Sequence, residues 1–598
     1  MNYLDSIKNN LQNFKFTDYF RHLTAVQKDA DLSAHRPLRV AILRSYTLDM
    51  MEPILKLRLI LEGFNPVFWW GDYNQFRQEV LDNESSMYLF KPDIVFLMTR
   101  IEEILPEFVW QFANKTAKVW EVEILDASRN LAHLADTVSS RLPAQIIVQN
   151  MALNSPPFWG IYDSQEMHSQ SHLIHQFNHE LVQAFESRPN TFIWDFNQFL
   201  LRKGIDNIFD PKLWYISSNP FRQNAYIDIV DDLIKYILSA LAIGKKCIVL
   251  DLDNTLWGGI AGEDGINGIS LGHDYPGNCY VDFQRELLKL YHRGIILAIN
   301  SKNNESDAFG IIDKHPDMVL RRFHFAAYQI NWSDKATNLY ILAKELNIGT
   351  ESMIFIDDNP AECELLRQQC PECTVLQMPE KPYLIPTLFR RLHGIENIRL
   401  TNEDRKKGEI YQAQLQRKKL ETVYRDLDEF LKALEMEIEI RLSDDFTVPR
   451  ISQLTQKTNQ LNMTTRRYTE ADIVQFANSN ESDVFSISSR DRFGDNGIVG
   501  VLILKFQEES CHIDSFMLSC RVIGRTIEQS MIAFIAEYAR KRGAKILVGE
   551  YIPTNKNKPA SEIYQKCRML KDKDGKFVAD LTTQEFTYSP YIKHHLPF

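Results

Sequence analysis

The stretch CIVLDLDNT, residues 247–255, decides how this part of the chain folds and what chemistry it can carry. Four apolar residues, typical of a strand buried on both faces of a parallel sheet, lead directly into Asp251 and Asp253. In open α/β sheets, ligands and catalytic groups collect at the carboxyl ends of the strands. Because the chain turns into a loop here, both carboxylates can face one site. One can attack or bind a metal while the other donates and accepts a proton.

Polar residues also follow two later apolar runs. Ser301 ends GIILAINS (294–301), and its hydroxyl can bond a phosphoryl oxygen. Asp357 and Asp358 end SMIFIDD (352–358) and are hard oxygen ligands of the type that Mg²⁺ prefers. Between them, Lys335 opens a helical pattern and can neutralise phosphate charge. The order of these groups predicts a magnesium-dependent phosphoryl-transfer site.

These elements resemble the haloacid dehalogenase superfamily of aspartate-nucleophile phosphotransferases. The longer run DLDNTLWGGIAGEDGINGISLG (251–272) resembles the FkbH-like family, the phosphatase/glyceryl transferases of polyketide extender-unit pathways. The resemblance implies that Asp251 is the nucleophile and Asp253 the general acid/base, which also offers its backbone carbonyl to the metal. It further implies phosphate binding by Thr255, Ser301 and Lys335, and Mg²⁺ binding by Asp251, Asp253, Asp357 and Asp358.

The spacing of these motifs leaves no room for a cap domain. Asp251 and Ser301 are 50 positions apart, and Ser301 and Lys335 are 34 apart. Core strands and helices use much of both intervals, so we predict a capless site that is open or covered by another domain of the chain. The glycine-rich loop 258–272 is either a small flap or a turn-rich connector.

An earlier alternation of strands and helices, from LRVAIL (38–43) to TFIWDF (191–196), predicts another parallel sheet covered on both faces. It resembles the SGNH hydrolase-like domain that precedes the phosphatase domain in some FkbH-like proteins. Ser45 stands at the nucleophile turn without the usual Gly-Asp before it, and Asn150 can stand for the oxyanion-hole asparagine. Leu213 replaces the expected histidine, so the serine has no positioned base. We predict a non-catalytic scaffold or binding domain.

A third unit of mixed strands and helices follows a charged helix. Its run SCRVIGRTIEQ (519–529) resembles the R/Q-x-x-G-x-G/A loop of Gcn5-related acetyltransferases through Arg521 and Gly524, with Thr526 in place of the last Gly or Ala. The resemblance implies a loop that holds a pyrophosphate or the phosphopantetheine arm of an acyl carrier protein. Cys520, or else Cys279, can carry a glyceryl thioester, and a buried structural cysteine is the alternative for both.

The composition limits the classes of partner. The 598 residues carry a net charge of −11, and the sequence pI is about 5.8, which argues against nucleic acid. Eight scattered cysteines, no 18-residue apolar run and no signal-like start predict a reduced, cytoplasmic protein that does not enter a membrane. An acidic carrier protein needs a local basic patch, for which the candidates are Lys457, Arg466, Arg467, Arg521 and Arg525.

We therefore predict an α/β protein with five segments. They are a helical lead-in (1–37), an SGNH-like three-layer domain (38–243), a capless HAD-like Rossmannoid domain (244–395), a charged connecting helix (396–435) and a GNAT-like α+β domain (436–598). The predicted activity is removal of phosphate from a small acyl phosphate such as 1,3-bisphosphoglycerate and transfer of its glyceryl group to an acyl carrier protein. The alternatives are another carrier-bound or surface-sugar substrate, and a scaffold that delivers a carrier protein without catalysis.

Overall fold

The computed structural model describes residues 3–421, 423–424, 426–458, 460–554 and 557–597. The chain divides into two compact units, Met1–Leu241 and Ala242–Phe598. No helix among these residues is both long enough and apolar enough to cross a membrane.

The first unit is built on a five-stranded parallel sheet in the order β2-β1-β3-β4-β5. Its strands are β1 Arg36–Arg44, β2 Phe64–Trp70, β3 Ile94–Met98, β4 Gln145–Gln149 and β5 Thr191–Trp194. Val40 and Ile42 of β1 pack into one hydrophobic core, while Ala41 and Leu43 pack into another. This alternation follows from the two-residue period of a strand and shows that both faces of the sheet are covered.

Helices of the first unit cover those two faces. They are α1 Tyr3–Asn10, α2 Phe16–Asp29, α3 Met51–Leu61, α4 Phe76–Leu81, α5 Ser86–Phe90, α6 Ile101–Ile104, α7 Pro106–Trp110, α8 Ala117–Arg141, α9 Gln170–Phe185, α10 Phe196–Lys203, α11 Ile205–Ile208, α12 Pro211–Ser217 and α13 Ala225–Ala240. Helices α3 and α13 contribute to the first core, and α8 and α9 to the second. The predicted three-layer arrangement is therefore present.

The second unit begins with another parallel sheet, in the order β10-β9-β6-β7-β8. Its strands are β6 Cys247–Leu250, β7 Ile296–Ser301, β8 Phe325–Ile330, β9 Met353–Asp357 and β10 Thr374–Gln377. Its helices are α14 Ala261–Gly268, α15 Gly277–His292, α16 Glu305–Lys314, α17 Lys335–Leu346 and α18 Pro360–Gln369. Strand β6 is central, and all four of its side chains are inaccessible to solvent.

Two local features of this region are set by short turns and helices. The apolar run RFHFAA (322–327) begins with a 3₁₀ turn over Arg322–His324, where the His324 ring accepts a bond from the Arg321 amide at 2.8 Å. The loop predicted over 258–272 contains α14. Two intervals were predicted to lack a cap domain, Asp251 to Ser301 and Ser301 to Lys335. The described residues of both intervals form no separate domain.

An eight-stranded mixed sheet completes the second unit, in the order β16-β17-β15-β14-β13-β12-β11-β18. Two helices precede it, α19 Asn402–Arg405 and α20 Lys407–Glu421. The sheet comprises β11 Met436–Leu442, β12 Ser482–Asp491, β13 Gly494–Gln507, β14 Ser510–Leu518, β15 Ile546–Gly549, β16 Leu570–Lys571, β17 Phe577–Asp580 and β18 Ile592–His595. Its helices are α21 Leu427–Ala433, α22 Val448–Lys457, α23 Glu470–Ala477, α24 Ile527–Lys541 and α25 Ile563–Lys566. Two parallel α/β sheets and one mixed sheet confirm the predicted fold class.

Strands β14 and β15 are paired only as far as Ile513 and Gly549. Beyond that point the chain's own segment Leu461–Met463 lies beside β14. The Leu461 carbonyl accepts from the Leu518 amide at 2.9 Å, and the Met463 amide donates to the Phe516 carbonyl at 3.1 Å. The segment therefore already satisfies the backbone of this part of β14.

Candidate active site

The site is formed where three parallel strands end at the same edge of the second sheet. Leu250 of β6 pairs with Ile299 of β7 and with Ile356 of β9, so the residues that follow these three lie level with one another. Single carboxylate oxygens of Asp251, Asp357 and Asp358 lie within 4.8 Å of one another. It is the one such cluster of His, Cys, Asp and Glu among the described residues, and its donor set is the hard oxygen type that suits Mg²⁺.

Lys335 joins two of these carboxylates. Its Nζ lies 3.1 Å from Asp251 Oδ2 and 2.5 Å from Asp357 Oδ2, and all three side chains are buried. Helix α17 places the lysine at its first position, where the Asp334 carboxylate caps the helix by accepting from the amides of Ala336 and Thr337. Asn300 on β7 also donates to the Lys335 carbonyl at 2.8 Å. The lysine is thus fixed between the predicted nucleophile and a predicted metal ligand.

The charges of this cluster shift its titration. Burial and the adjacent Asp251 carboxylate raise the pKa of Asp357 to about 6, against the lowering effect of Lys335. Burial and Asp251 also raise the pKa of Asp358. Burial opposes the charge of Lys335, but the carboxylates of Asp251 and Asp357 raise its pKa overall. An added cation would offset the crowding of negative charge at this edge.

Asp253 faces a different set of groups. Its Oδ1 accepts bonds from Trp257 Nε1 at 3.0 Å and from the Ala261 amide at 2.9 Å, and its Oδ2 accepts from Asn303 Nδ2 at 3.0 Å. Burial raises the pKa of Asp253, while the bonds from Ala261 and Trp257 lower it. The Asp253 carboxylate is not part of the cluster of Asp251, Asp357 and Asp358, so its predicted contact with the metal depends on its backbone carbonyl.

Sequence reasoning missed Asn303 and Trp257. Both lie close to the quoted motifs, and Asn303 follows the predicted phosphate-binding Ser301 by two positions. Their roles arise from the loops after β6 and β7 facing each other, which a linear pattern does not reveal. The pair Asp251 and Asp253 was the available signal for such residues, because a carboxylate at the end of a strand needs hydrogen-bond donors around it.

Two hydroxyls complete the site. Ser301 is the last residue of β7 and is buried. Thr255 is fully buried, and its Oγ1 has no hydrogen-bond partner in the protein. An unpaired buried hydroxyl is uncommon and costs free energy, so its position beside Asp253 is the kind expected of a group reserved for a ligand.

The first unit matches the family model of the FkbH N-terminal domain over residues 39–237, and residues 246–374 match that of the NLI interacting factor-like phosphatases. The chain carries an FkbH N-terminal domain followed by a HAD-like phosphatase domain. A solved structure of the N-terminal part of protein BF1531 from Bacteroides fragilis, containing a phosphatase domain complexed with Mg, is 28% identical, with a TM-score of 0.58. The match covers 65% of this chain and 100% of that one. With its phosphatase domain, the chain is an enzyme.

Acetyltransferases are also among the solved structures with similarity to this chain. The ribosomal-protein-S18-alanine N-acetyltransferase of Escherichia coli is 10% identical over 24% of this chain and 90% of its own, with a TM-score of 0.19. An acetyl transferase of Salmonella typhimurium is 17% identical over 24% and 95%, with a TM-score of 0.20. The comparison with curated proteins returns no match.

In the FkbH N-terminal domain, Ser45 follows β1 and meets a carboxyl group that the sequence reasoning did not consider. Its Oγ donates to Glu103 Oε2 at 3.3 Å and accepts from the Arg100 amide at 3.2 Å. Burial raises the pKa of Glu103 to about 7. Asn150 is held at both ends of its amide, by Asp195 at 2.8 Å and by the Asn197 amide at 3.0 Å. The predicted oxyanion-hole donor is therefore already engaged.

The loop before α24 has two residues with left-handed backbone. Gly524 has φ +78°, and Thr526, which caps the helix, has φ +60°. This conformation explains why Gly suits the last position of the loop, since a β-branched residue is strained there. The Thr526 hydroxyl bonds Ser589 Oγ at 2.6 Å. The side chain of Cys520 lies outside the described residues.

The surroundings of Cys279 and of the candidate basic residues do not favour the roles predicted for them. Burial and the Asp282 charge raise the pKa of the Cys279 thiol, which disfavours the nucleophilic thiolate. Arg521 and Arg525 are buried, so they do not form an exposed patch. Arg466 pairs with Asp514 at 2.9 Å, and the side chain of Lys457 is not among those described.

Arg467 is committed within the fold as well. Its guanidinium donates to three backbone carbonyls of the segment 455–458. Of the five candidates, Arg521 and Arg525 are thus too buried to serve in a basic patch, and Arg466 and Arg467 bond groups within the fold.

Proposed function

We propose that the chain removes a phosphoryl group with Asp251 as nucleophile and Mg²⁺ as cofactor. The observation that carries this proposal is the cluster of Asp251, Asp357 and the half-buried Asp358 where the strands end, with Lys335 paired to the first two. The Mg bound to the similar phosphatase domain of BF1531 supports the choice of metal. Asp251, Asp357 and Asp358, with the Asp253 carbonyl, would hold the ion, which supplies charge stabilisation for the transferring phosphoryl group.

The protein's own groups divide the work of the reaction. An Asp251 carboxylate oxygen forms a bond to phosphorus while the bond from phosphorus to the leaving oxygen breaks. Asp253, whose pKa is raised by burial, gives its proton to that leaving oxygen. Lys335, Ser301 and the unpaired hydroxyl of Thr255 hold the phosphoryl oxygens. Water then releases phosphate from Asp251, with Asp253 taking back a proton.

A comparison of phosphate release tests this step. We expect the wild-type chain to release phosphate from 3-phosphoglycerate or an acyl phosphate with Mg²⁺ and to stop when EDTA is added. Asp251→Asn should lose activity by at least about a thousandfold, since the nucleophile is removed. Asp282→Asn, an exposed aspartate of α15, is the matched control and should keep wild-type activity. Equal release by wild type and Asp251→Asn would contradict the proposal, as would no release by either protein.

The finer part of the proposal concerns the substrate and the acceptor. We place the substrate among phosphorylated three-carbon acids such as 1,3-bisphosphoglycerate. Cleaving the phosphorus–oxygen bond of its acyl phosphate would leave an unactivated carboxylate, so we assign the Asp251 attack to the ester phosphate. The acyl phosphate then remains for a thiol, whose sulfur bonds the carbonyl carbon as inorganic phosphate leaves and the thiol proton passes to solvent.

We propose that the accepting thiol is the phosphopantetheine of an acyl carrier protein, reached directly or through Cys520 or Cys279. The sequence of the loop with Arg521, Gly524 and Thr526 supports this acceptor, and the backbone bonds of Leu461–Met463 favour contact with the loop rather than with the edge of β14. The raised pKa of Cys279 counts against that thiol as the intermediate. The setting is proposed as polyketide or related biosynthesis in the cytoplasm.

Mass spectrometry of a carrier protein separates transfer from hydrolysis. Incubation of the chain with Mg²⁺, 1,3-bisphosphoglycerate and a holo carrier protein should add one glyceryl group to the carrier. The apo carrier, which lacks the thiol, is the matched control and should gain nothing. Phosphate release without a mass gain on the holo carrier would reject the transferase and leave a phosphatase with another substrate. A carrier that binds without either reaction would indicate a scaffold.

A further inference from the structure

A cavity of about 370 Å³ lies between the phosphatase sheet and the mixed sheet of the second unit. We call it the rear cavity. Lys246, which precedes β6, lines it, whereas Asp251 follows β6. At about 3.3 Å per strand residue, these two residues are separated by about 16 Å along the strand. The rear cavity is therefore at the opposite edge of the sheet from the active site.

The walls of the rear cavity are rich in cations. Lys246, Lys407, Arg450 and Arg521 line it, opposed by the carboxylates of Glu351 and Asp404. The Asp404 carboxylate already accepts from Thr401 and, at 2.9 Å, from Gln453 Nε2. The formal balance of these six ionisable side chains is +2, in a chain whose overall charge is −11. The rear cavity therefore has a net positive charge, whereas the whole protein has a net negative charge.

The two arginines have unused hydrogen-bonding capacity. The Nε atoms of Arg450 and Arg521 are buried and have no partner in the protein. Arg521 is only 8% exposed, and the bond given for its side chain is a long one of 3.5 Å to the Ile498 carbonyl. Arg450 donates to Gln453 Oε1. A buried donor without an acceptor is costly, so the two Nε–H groups are available to a ligand that brings acceptors.

The two guanidinium groups also repel each other. Burial lowers the pKa of Arg450 to about 10, and the charge of Arg521 is the next cause of that shift. An anion placed between them would supply the missing acceptors and offset the repulsion. Guanidinium groups match the geometry of phosphate oxygens particularly well. The apolar side chains of Ile348 and Leu454 in the same wall can contact a carbon skeleton.

We propose that the rear cavity is a second anion site, which binds a phosphate-bearing small molecule through Arg450 and Arg521. Its volume suits a ligand of metabolite size. The site shares Arg521 with the loop proposed for the phosphopantetheine acceptor, but it is independent of the proposed phosphoryl transfer, because it uses none of the groups around Asp251 and requires no metal.

Calorimetric titration of the full chain with pyrophosphate, in EDTA, tests this site apart from the metal-dependent one. We expect Arg450→Gln and Arg521→Gln each to weaken binding by about tenfold or more, the effect of losing a charge-assisted bond. Lys335→Gln alters the active site and, under conditions where circular dichroism shows it to be folded, should bind as the wild type does. Arg441→Gln, at an exposed arginine of β11, is the matched control. Inorganic phosphate as a second probe tells whether one phosphate group suffices.

A measurement on the wild-type chain avoids any loss of folding in the variants. Phenylglyoxal modifies arginine, and peptide mass spectrometry gives its rate at each position. Pyrophosphate should slow the modification of Arg450 and Arg521 and leave Arg441 unchanged. No binding by the wild type, unchanged binding in both arginine variants, loss of binding in Lys335→Gln alone, or equal modification rates with and without pyrophosphate would each overturn the proposal.

Discussion

Replacing Lys335 with methionine tests the electrostatics of the active site most directly. The Nζ atom lies 3.1 Å from Asp251 and 2.5 Å from Asp357. At an effective dielectric constant of about 20, each contact is worth about 5–7 kcal/mol before the cost of burying the lysine is subtracted. Without the lysine, two buried carboxylates face each other with no cation. Because breaking a buried ion pair strands its partner, we expect Lys335→Met to lower the free energy of unfolding by about 3–5 kcal/mol.

The assay is urea unfolding in EDTA, with hydrogen exchange of peptides from β6 and β9 to locate the loss. The control is Lys289→Met, which removes one member of an exposed ion pair with Glu286 and should change stability by less than about 1 kcal/mol. The double variant Lys335→Met/Asp357→Asn should regain part of the loss, because the stranded charge is gone. Added Mg²⁺ should also restore stability to the single variant.

The loss should depend on pH with a definite sign. In the folded protein the pKa of Asp357 is already raised to about 6, above the value of about 3.9 for an unfolded chain. The folded state therefore holds the proton more tightly, and removal of Lys335 strengthens this tendency. As pH falls towards about 6, Asp357 becomes neutral in the variant before it does in the wild type, so the penalty of Lys335→Met should shrink above pH 6 and be smallest below it. A loss under about 1 kcal/mol at pH 8, or strictly additive losses in the double variant, would refute this account.

Three further outcomes are expected. Thr255→Val removes an unpaired buried hydroxyl, so it should leave the free energy of unfolding unchanged or raise it by up to about 1 kcal/mol. The same change should weaken phosphate release. A large loss of stability would show that the hydroxyl has a structural partner. Asn303→Ala should raise the pKa of Asp253 further, because a hydrogen bond to its carboxylate is lost, and the limb of the pH–rate profile due to that residue should move upward. An unmoved profile would contradict the contact. Mg²⁺ affinity, followed by titration calorimetry, should fall by about tenfold per unit as pH drops below the Asp357 pKa of about 6, and affinity independent of pH between 4 and 7 would exclude that carboxylate as a ligand.

The sequence made the phosphatase site predictable because its groups follow apolar strands. CIVL, ILAINS and MIFID are buried strands, and the residues that end or follow them must lie at one edge of a parallel sheet. The identity of Asp251, Ser301 and Asp357 therefore predicted their proximity. Lys335 was predictable as well, since it opens the helix that leads towards β9.

Contacts between loops were beyond the reach of the linear pattern. Asn303 and Trp257 hold Asp253, but nothing in their spacing fixes how the loops after β6 and β7 face each other. The predicted surface patch failed for a related reason. Arg521 and Arg525 were candidates for a basic docking patch, whereas packing of the mixed sheet buried both.

The sequence by itself determined the fold class, the strand ends at which the chemistry occurs, and the residue types that make them a phosphoryl-transfer site. These follow from local periodicity and from the geometry of parallel sheets. Only the tertiary structure decided which donors hold Asp253, that Leu461–Met463 lies against β14, and that two arginines meet in the rear cavity. Such features depend on contacts between residues far apart in the chain, whose positions are set by the packing of whole elements rather than by any local pattern.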